Sequence, residues 1–412
     1  MNGWARKFKD WKWPVLLVVF LGFRLGYIFL TPEGGKPPIA DAEVYYAMGV
    51  NIAHGEGLHF QGSYSTRPPA YPMFLAGVFK IAGDSFVAAQ CFQVFLAVLA
   101  GFLISRIARF YYGENVAALA CLIYAVSYDS YIVPATLLSE NLFVFLLAAS
   151  IYLLMTERYL LASFSLSMLY FTRQEALLFI LFVVFAYALF DFRKNFRKIA
   201  AILAVFFVFN CAWIYRNWRI HHAFLAGTTF SEAHLFLSNA YIFHRLGDTA
   251  DIDNKIILDP PAGMNEMQMR PLNRQACVEL FRRQPWHRLM LAPFLKLGFL
   301  LYPFLPEYDF TYMLILPFWL LGLYMERHAW RKNYLLYGVF SIILGLILVF
   351  HAIPRYRSSI QPFMAIFAAA CLSNLWARSH RHRWAILAWL LINLAVYAQA
   401  GPLRLIVKSL LP

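Results

Sequence analysis

Charged residues are scarce in this chain of 412 amino acids. Asp, Glu, Lys and Arg make up only 14% of the sequence, whereas hydrophobic residues make up 61%. A soluble domain carries about 25% charged residues, so the composition excludes a soluble enzyme, a disordered chain and a coiled coil. The mean hydropathy of +0.57 instead predicts a protein that lies in the lipid bilayer.

Nucleotide-binding and metal-binding motifs are missing too. No GxxxxGK[ST] sequence occurs, so the chain lacks the phosphate-binding loop of P-loop NTPases. An enzyme of this composition is therefore expected to take its activated substrate from the bilayer, as a lipid-borne donor. The five cysteines are scattered singly without a CxxC pair, which predicts neither a disulfide framework nor a structural zinc site.

Long apolar runs fill most of the chain. A bilayer core needs about 20 apolar residues per helix, and on that measure we predict an all-α polytopic membrane protein with about 11–12 transmembrane helices. Two shorter segments, 70–83 and 287–306, are predicted to be membrane-surface or re-entrant helices, the second because it contains Pro293, Arg288 and Lys296. The predicted spans lie near residues 14–30, 85–106, 115–133, 139–156, 159–172, 175–190, 199–214, 310–325, 333–352, 359–376 and 384–400.

The charge distribution predicts the orientation. The net charge is +14, and the basic excess lies in short loops, as the positive-inside rule describes for cytoplasmic loops. The basic N-terminal segment is read as a retained signal anchor. We therefore interpret residues 1–412 as a single membrane domain with two long non-cytoplasmic loops, a catalytic one at 31–69 and a second one at 215–286.

Acidic residues and arginines gather at the predicted non-cytoplasmic ends of the helices. Ionisable groups at membrane depth are costly and mark function by default. Each has a structural explanation by itself: a helix cap, a self-neutralising pair, or an arginine that snorkels to the interface. The set comprises Asp41, Glu43, Arg67, Glu140, Arg173, Glu175, Arg216, Arg355 and Arg357.

Together these residues indicate a specific chemistry. Arginines can hold and neutralise a phosphate leaving group, while a carboxylate can accept the proton of an attacking hydroxyl. In the segment 351–357 an extended backbone would turn residues i and i+2 to one side, so that Arg355 and Arg357 would face one anion together.

At these residues the chain resembles the GT-C glycosyltransferases that use polyprenyl-phosphate sugars, and most closely the protein O-mannosyltransferase and aminoarabinose-transferase-like group. The resemblance runs from about residue 14 to 375 and is most specific in the first 70 residues. The matching motifs are Asp41-Ala42-Glu43-Val44-Tyr45-Tyr46, His54-Gly55-Glu56-Gly57-Leu58, Arg67-Pro68-Pro69-Ala70-Tyr71-Pro72, Leu138-Ser139-Glu140, Arg173-Gln174-Glu175, Tyr215-Arg216-Asn217-Trp218 and Arg355-Tyr356-Arg357.

The resemblance implies a GT-C type fold and a role for each matching residue. Asp41 matches the acid taken in the family as the catalytic base. Glu43 is the second predicted catalytic residue, and Glu43 or Glu140 would position the acceptor or the base. The donor phosphate is expected to contact Arg67, Arg173, Arg216, Arg355, Tyr356 and Arg357. Substrate binding is expected from Tyr45, Tyr71, Glu140, Glu175 and His351. The sequence motif Asp-Ala-Glu replaces the adjacent Asp-Glu common in protein mannosyltransferases, which puts a protein acceptor in doubt.

The sequence therefore predicts an inverting membrane glycosyltransferase, in the bacterial inner membrane with its active site facing the periplasm. Its partners would be a polyprenyl-phosphate sugar, a hydroxyl acceptor and membrane lipid, with no nucleic acid. The alternatives are a transporter or flippase for an anionic lipid or sugar-phosphate, and an assembly scaffold. No metal ligands are assigned, but a divalent metal stays possible, because several polar residues of the second loop could gather: His221, His222, Glu232, His234, His244 and Asp248.

Overall fold

The computed structural model describes residues 3–32, 34–248, 263–303, 308–350 and 354–402. Every regular element in these ranges is helical, which confirms the predicted all-α class. The helices are α1 (Gly3–Leu30), α2 (Asp41–His54), α3 (Ala70–Ala82), α4 (Phe86–Tyr112), α5 (Glu114–Val126), α6 (Tyr128–Ala135), α7 (Glu140–Met155), α8 (Tyr159–Thr172), α9 (Leu177–His221), α10 (Ser231–Arg245), α11 (Glu266–Arg282), α12 (Trp286–Leu301), α13 (Phe310–Met325), α14 (Tyr334–Val349), α15 (Gln361–Arg378) and α16 (His380–Ala398). Short 3-10 helices lie at Gln174–Ala176, Arg327–Ala329 and Pro354–Ser359.

Three helical stretches in the described ranges are long and apolar enough to cross a bilayer unaided: Lys12–Leu30, Phe86–Tyr112 and Gln174–His221. Helices α5 and α6 meet at a 54° bend and could cross as one broken span, and α3, α7, α8, α13 and α14 are shorter apolar helices. The protein is thus an integral membrane protein, while the number of spans and the path of α12 relative to the bilayer stay predictions.

The predicted spans 159–172 and 175–190 correspond to two helices that are separated by a short turn. Arg173 has an extended backbone after the end of α8, and the 3-10 turn Gln174–Ala176 then leads into α9. Within α9, Asp191 leaves the helical conformation at φ −170° and ψ 96°. This kink separates the two spans predicted at 175–190 and 199–214. The turn Gln174–Ala176 joins α8 to the first part of α9, and the two helices pack against each other as a hairpin.

The centre of the bundle is the first half of α15, whose residues 361–369 are buried on every face. It packs against α5 and α13. A Cβ atom at Gly322 of α13 would come within 2.4 Å of the carbonyl oxygen of Phe367, so only glycine permits this approach. Because α15 is fixed in the core, the 3-10 segment before it is held there as well, together with Arg355 and Arg357.

The first long loop, residues 31–69, packs onto this bundle together with α3 through a second, smaller core. Tyr45 of α2 and Tyr71 of α3 meet edge to face with ring centroids 4.9 Å apart. Gly49 lies so close to Leu75 that an added Cβ would approach its side chain to 2.8 Å. These contacts fix α2 against α3, and with it the N-terminal end of α2, where Asp41 lies.

Candidate active site

Six charged side chains, which we call the ion-pair network, form a continuous series of ion pairs. Asp41 accepts hydrogen bonds from Arg67 Nη2 at 3.0 Å and from Arg355 Nη2 at 3.1 Å. Arg355 Nε also lies 2.7 Å from Glu140 Oε1, which is 2.8 Å from Arg173 Nη1. Arg173 in turn pairs with Glu175. The network thus balances three arginines against three carboxylates.

Local structure explains how these side chains converge. Asp41 and Glu140 are the first residues of α2 and α7, where the helix dipole favours a negative charge. Neither helix start has a side-chain capping hydrogen bond, so the explanation of these acids as helix caps is not supported. Ala40 adopts φ 52° before Asp41, a conformation that L-residues rarely take. Both carboxylates contact arginines instead of capping their helices.

The electrostatics of Asp41 follow from two opposing effects. Partial burial raises the pKa of the Asp41 carboxyl, but the guanidinium groups of Arg67 and Arg355 outweigh it and lower the pKa below the usual value of 3.8. Asp41 is therefore ionised throughout the neutral range. Glu140 is fully buried, and its contacts with Arg173 and Arg355 compensate its charge inside the protein.

A cavity of about 420 Å³ opens beside the network. Asp41, Arg67, Arg173, Glu175 and Arg355 form its charged wall. A second part of the lining, which we call the apolar wall, consists of Leu177, Leu178, Gly345, Leu346, Val349 and Phe350. A lining with both charged and apolar parts suits an amphiphile with an anionic head and a hydrocarbon chain.

The other residues that the sequence predicted for the site divide into two groups. Tyr45 and Tyr356 also line the cavity. Glu140 does not line it but contacts two arginines that do. Glu43 is exposed on α2. Tyr71 is buried and donates to Gln93 Oε1. His351 lies outside the described residues.

Arg216 fastens the first loop to α9 instead of lining the cavity. It donates to Ser65 Oγ at 2.9 Å and to the carbonyl of Leu58 at 2.9 Å. Its guanidinium lies over the Trp213 ring, 4.9 Å from the ring centroid.

The prediction that Arg355 and Arg357 face one anion together is wrong in its geometry. Residues 354–359 form a 3-10 helix, not an extended strand, so residues i and i+2 point in different directions. Arg355 enters the cavity, whereas Arg357 is buried and donates to the carbonyls of Leu300 and Tyr302 at 3.1 and 2.7 Å. Arg357 also lies 3.5 Å from Asp309. It serves to hold the 3-10 segment in the core.

Two aromatic contacts that the sequence did not predict complete the cavity. Phe230 lies beneath the guanidinium of Arg67, with 4.7 Å from Cζ to the ring centroid. His234 stacks on Phe350 at 4.8 Å, and its Nε2 lies 3.3 Å from the Tyr356 hydroxyl. Burial lowers the pKa of His234, and Arg173 and Arg67 reinforce that effect against the opposing Glu175, so the ring is neutral at pH 7. The only signal in the sequence was the number of histidines in the second loop.

The metal hypothesis for the second loop gains no support from the described residues. No group of three or more His, Cys, Asp or Glu side chains within them is arranged to hold a metal ion. Glu232 pairs with Arg270 and Asp248 pairs with Arg283, so both acids are engaged in ion pairs.

Comparison with known families supports the resemblance. Residues 66–215 match the family model described as dolichyl-phosphate-mannose-protein mannosyltransferase, which is less than half of the chain but includes Arg67, Glu140, Arg173 and Glu175. A search of curated proteins finds no match. This family model, together with a fold similarity to a solved structure, confirms the predicted resemblance to the GT-C glycosyltransferases.

The fold is similar to that of an archaeal oligosaccharyltransferase, AglB from Archaeoglobus fulgidus. The AglB complex with an inhibitory peptide and a dolichol-phosphate is 13% identical, with a TM-score of 0.56 over 96% of this chain and 55% of AglB. The apo form gives 14% identity and a TM-score of 0.57, over 97% and 55%. This chain therefore spans about half the length of AglB.

ArnT from Cupriavidus metallidurans bound to undecaprenyl phosphate is also similar, at 12% identity over 90% of this chain and 79% of ArnT. Its TM-score of 0.44 is too low to support an argument about the fold.

The network predicts a large stability effect at Glu140. In Glu140→Gln, the buried guanidinium groups of Arg173 and Arg355 lose one of their carboxylate partners. Because an unpaired buried charge is costly, the free energy of unfolding should fall by about 3–5 kcal/mol. Denaturant unfolding in mild detergent would measure the change. Glu43→Gln is the matched control and should unfold like the wild type, because Glu43 is exposed. Equal behaviour of the two variants would show that the network does not stabilise the fold.

Proposed function

We propose that the protein transfers a sugar from a polyprenyl-phosphate donor to a hydroxyl acceptor on the non-cytoplasmic face of the bacterial inner membrane. The observation that carries this proposal is the cavity whose lining combines Asp41, Arg67 and Arg355 with the apolar wall. A lipid-linked sugar phosphate has the same division between an anionic head and a hydrocarbon chain. The family match and the fold similarity agree with this substrate class.

The donor phosphate would be held by the arginines of the charged wall. Arg67 and Arg355 now share the carboxylate of Asp41, and a guanidinium can hold phosphate oxygens in the same planar geometry. Donor binding would thus exchange a carboxylate for a phosphate. Arg173, fixed by Glu140 and Glu175, would support the phosphate from the deeper side.

Asp41 would act as the general base. The acceptor hydroxyl attacks the anomeric carbon, its proton passes to an Asp41 oxygen, and a new C–O bond forms. The bond between the anomeric carbon and the phosphate oxygen breaks, and the arginines neutralise the departing polyprenyl phosphate. A single displacement inverts the anomeric configuration. When the phosphate draws Arg67 and Arg355 away, the carboxylate becomes a stronger base at the step that needs one.

The sugar would lie between the phosphate and the neutral polar groups of the cavity. His234 and Tyr356 are adjacent there, and Tyr45 also lines the cavity. These groups can donate and accept hydrogen bonds. Glu140 would act through Arg173 and Arg355, as a positioning residue.

Removal of the Asp41 carboxylate should slow turnover strongly but leave donor binding intact. Asp41→Asn is expected to lower kcat by about 10²–10⁴, the usual contribution of general base catalysis. The assay would follow sugar release from a polyprenyl-phosphate sugar in detergent. Glu43→Gln, two residues away and exposed, is the control and should keep its activity. Full turnover by Asp41→Asn would overturn the proposal, and lipid movement without sugar transfer would support the flippase alternative.

The arginine partners of Asp41 should set the acid limb of the pH profile. Arg67 lowers the pKa of Asp41, so activity should decline only when the pH falls below the usual aspartate range. Arg67→Gln removes this effect and raises the pKa, so that Asp41 becomes protonated at a higher pH. The acid limb of kcat/KM is expected to move to higher pH, whatever the absolute rate. Arg219→Gln, an exposed change on α9, should leave the limb in place, and an unmoved limb in Arg67→Gln would contradict this role.

A further inference from the structure

Lys296 of α12 is a buried cation that the proposed mechanism does not use. Its side chain is only 2% exposed, and its ammonium donates a hydrogen bond to Asn239 Oδ1 at 2.8 Å. Within the part of the chain that the structure describes, no carboxylate lies at ion-pair distance from it. A buried charge without an opposite charge is costly, which calls for an explanation.

Two further cations are as buried within the described residues, and each has two carbonyl acceptors. Arg24 donates to the carbonyls of Phe20 and Ala125 and lies 3.5 Å from the centroid of the Phe20 ring. Arg357 has two carbonyls and Asp309. Lys296 has one amide oxygen. Of these three cations, Lys296 has the fewest hydrogen-bond acceptors, and its acceptor Asn239 also contacts the cavity-lining Val349.

The ion-pair network carries no net positive charge. Its three arginines are balanced by three carboxylates, so an additional phosphate would make the region net negative. A further cation near the cavity would remove this imbalance. Lys296 is suited to that role because it is buried and has no acidic partner.

Lys296 is connected to the apolar wall of the cavity through one residue. Asn239, which accepts its hydrogen bond, donates to the carbonyl of Val349 at 3.0 Å, and Val349 lines the cavity. Helix α12 packs against both α10 and α14. On its outer side α12 exposes Met290 at 62% and Phe294 at 70%, an apolar surface that a hydrocarbon chain can follow.

We propose that Lys296 binds the phosphate group of the polyprenyl carrier at the flank of the cavity, between α10, α12 and α14. This inference rests on the proposed function and adds a phosphate-binding residue to it. Lys296 supplies the positive charge that the balanced network lacks, while the carrier's hydrocarbon chain lies along the apolar face of α12.

Binding of three defined probes to the full-length protein in detergent tests the proposal. The probes are undecaprenyl phosphate, undecaprenol and inorganic phosphate, which separate a lipid-borne phosphate from the lipid and from the free ion. The wild type should prefer undecaprenyl phosphate to undecaprenol. Lys296→Gln should lose about tenfold or more in affinity for undecaprenyl phosphate, as expected for one charged hydrogen bond, and keep its affinity for undecaprenol. Lys80→Gln, the same change at an exposed position of α3, should leave both affinities unchanged.

Two further variants separate a binding role from a structural one. Lys296→Arg keeps the charge and should keep the preference for the phosphate lipid. Asn239→Asp retains Lys296 but gives it a carboxylate partner, so the preference should fall even if Lys296→Gln does not fold. Unchanged affinities in Lys296→Gln or in Asn239→Asp would overturn the proposal and leave Lys296 a tie between α10 and α12. A wild type without any preference for the phosphate lipid would overturn the proposed function as well.

Discussion

The arrangement of the site depends on Arg355, which is shared between Asp41 and Glu140. Asp41 begins α2 in the first long loop, whereas Glu140 begins α7 of the bundle. Arg355 lies in the 3-10 segment that precedes the buried helix α15. A single guanidinium therefore joins the loop, the bundle and the core, and the position of Asp41 relative to the cavity follows from it.

Charge balance is the second constraint. Three arginines and three carboxylates neutralise one another, which makes so many charges tolerable beside the apolar Leu346 and Val349. The same balance means that a phosphate can bind only by displacing a carboxylate or by meeting an additional cation. In the proposed mechanism, the first possibility would make Asp41 a stronger base when the donor is bound. The second gives a role to Lys296. Both follow from the same network.

The helical class and the outer cluster of charges could be predicted from the sequence, because apolar length and charge placement depend on local composition. Arg67, Arg173, Glu175 and Arg355 were predicted for the site and do line the cavity. Arg357 was misplaced because i and i+2 share a side only in an extended chain, and the segment is a 3-10 helix. His234 could not be predicted, because only tertiary packing of α10 against Phe350 and Tyr356 gives it an environment.

Mass spectrometry of the lipids that copurify with the protein tests the central claim most directly. The claim is that Arg355 holds either the Asp41 carboxylate or the phosphate of a polyprenyl carrier. A polyprenyl phosphate should accompany the wild type and be enriched in Asp41→Asn, where Arg67 and Arg355 are released from their carboxylate. It should be depleted in Arg355→Gln. The absence of such a lipid from the wild type, or equal amounts in Asp41→Asn and Arg355→Gln, would contradict the account.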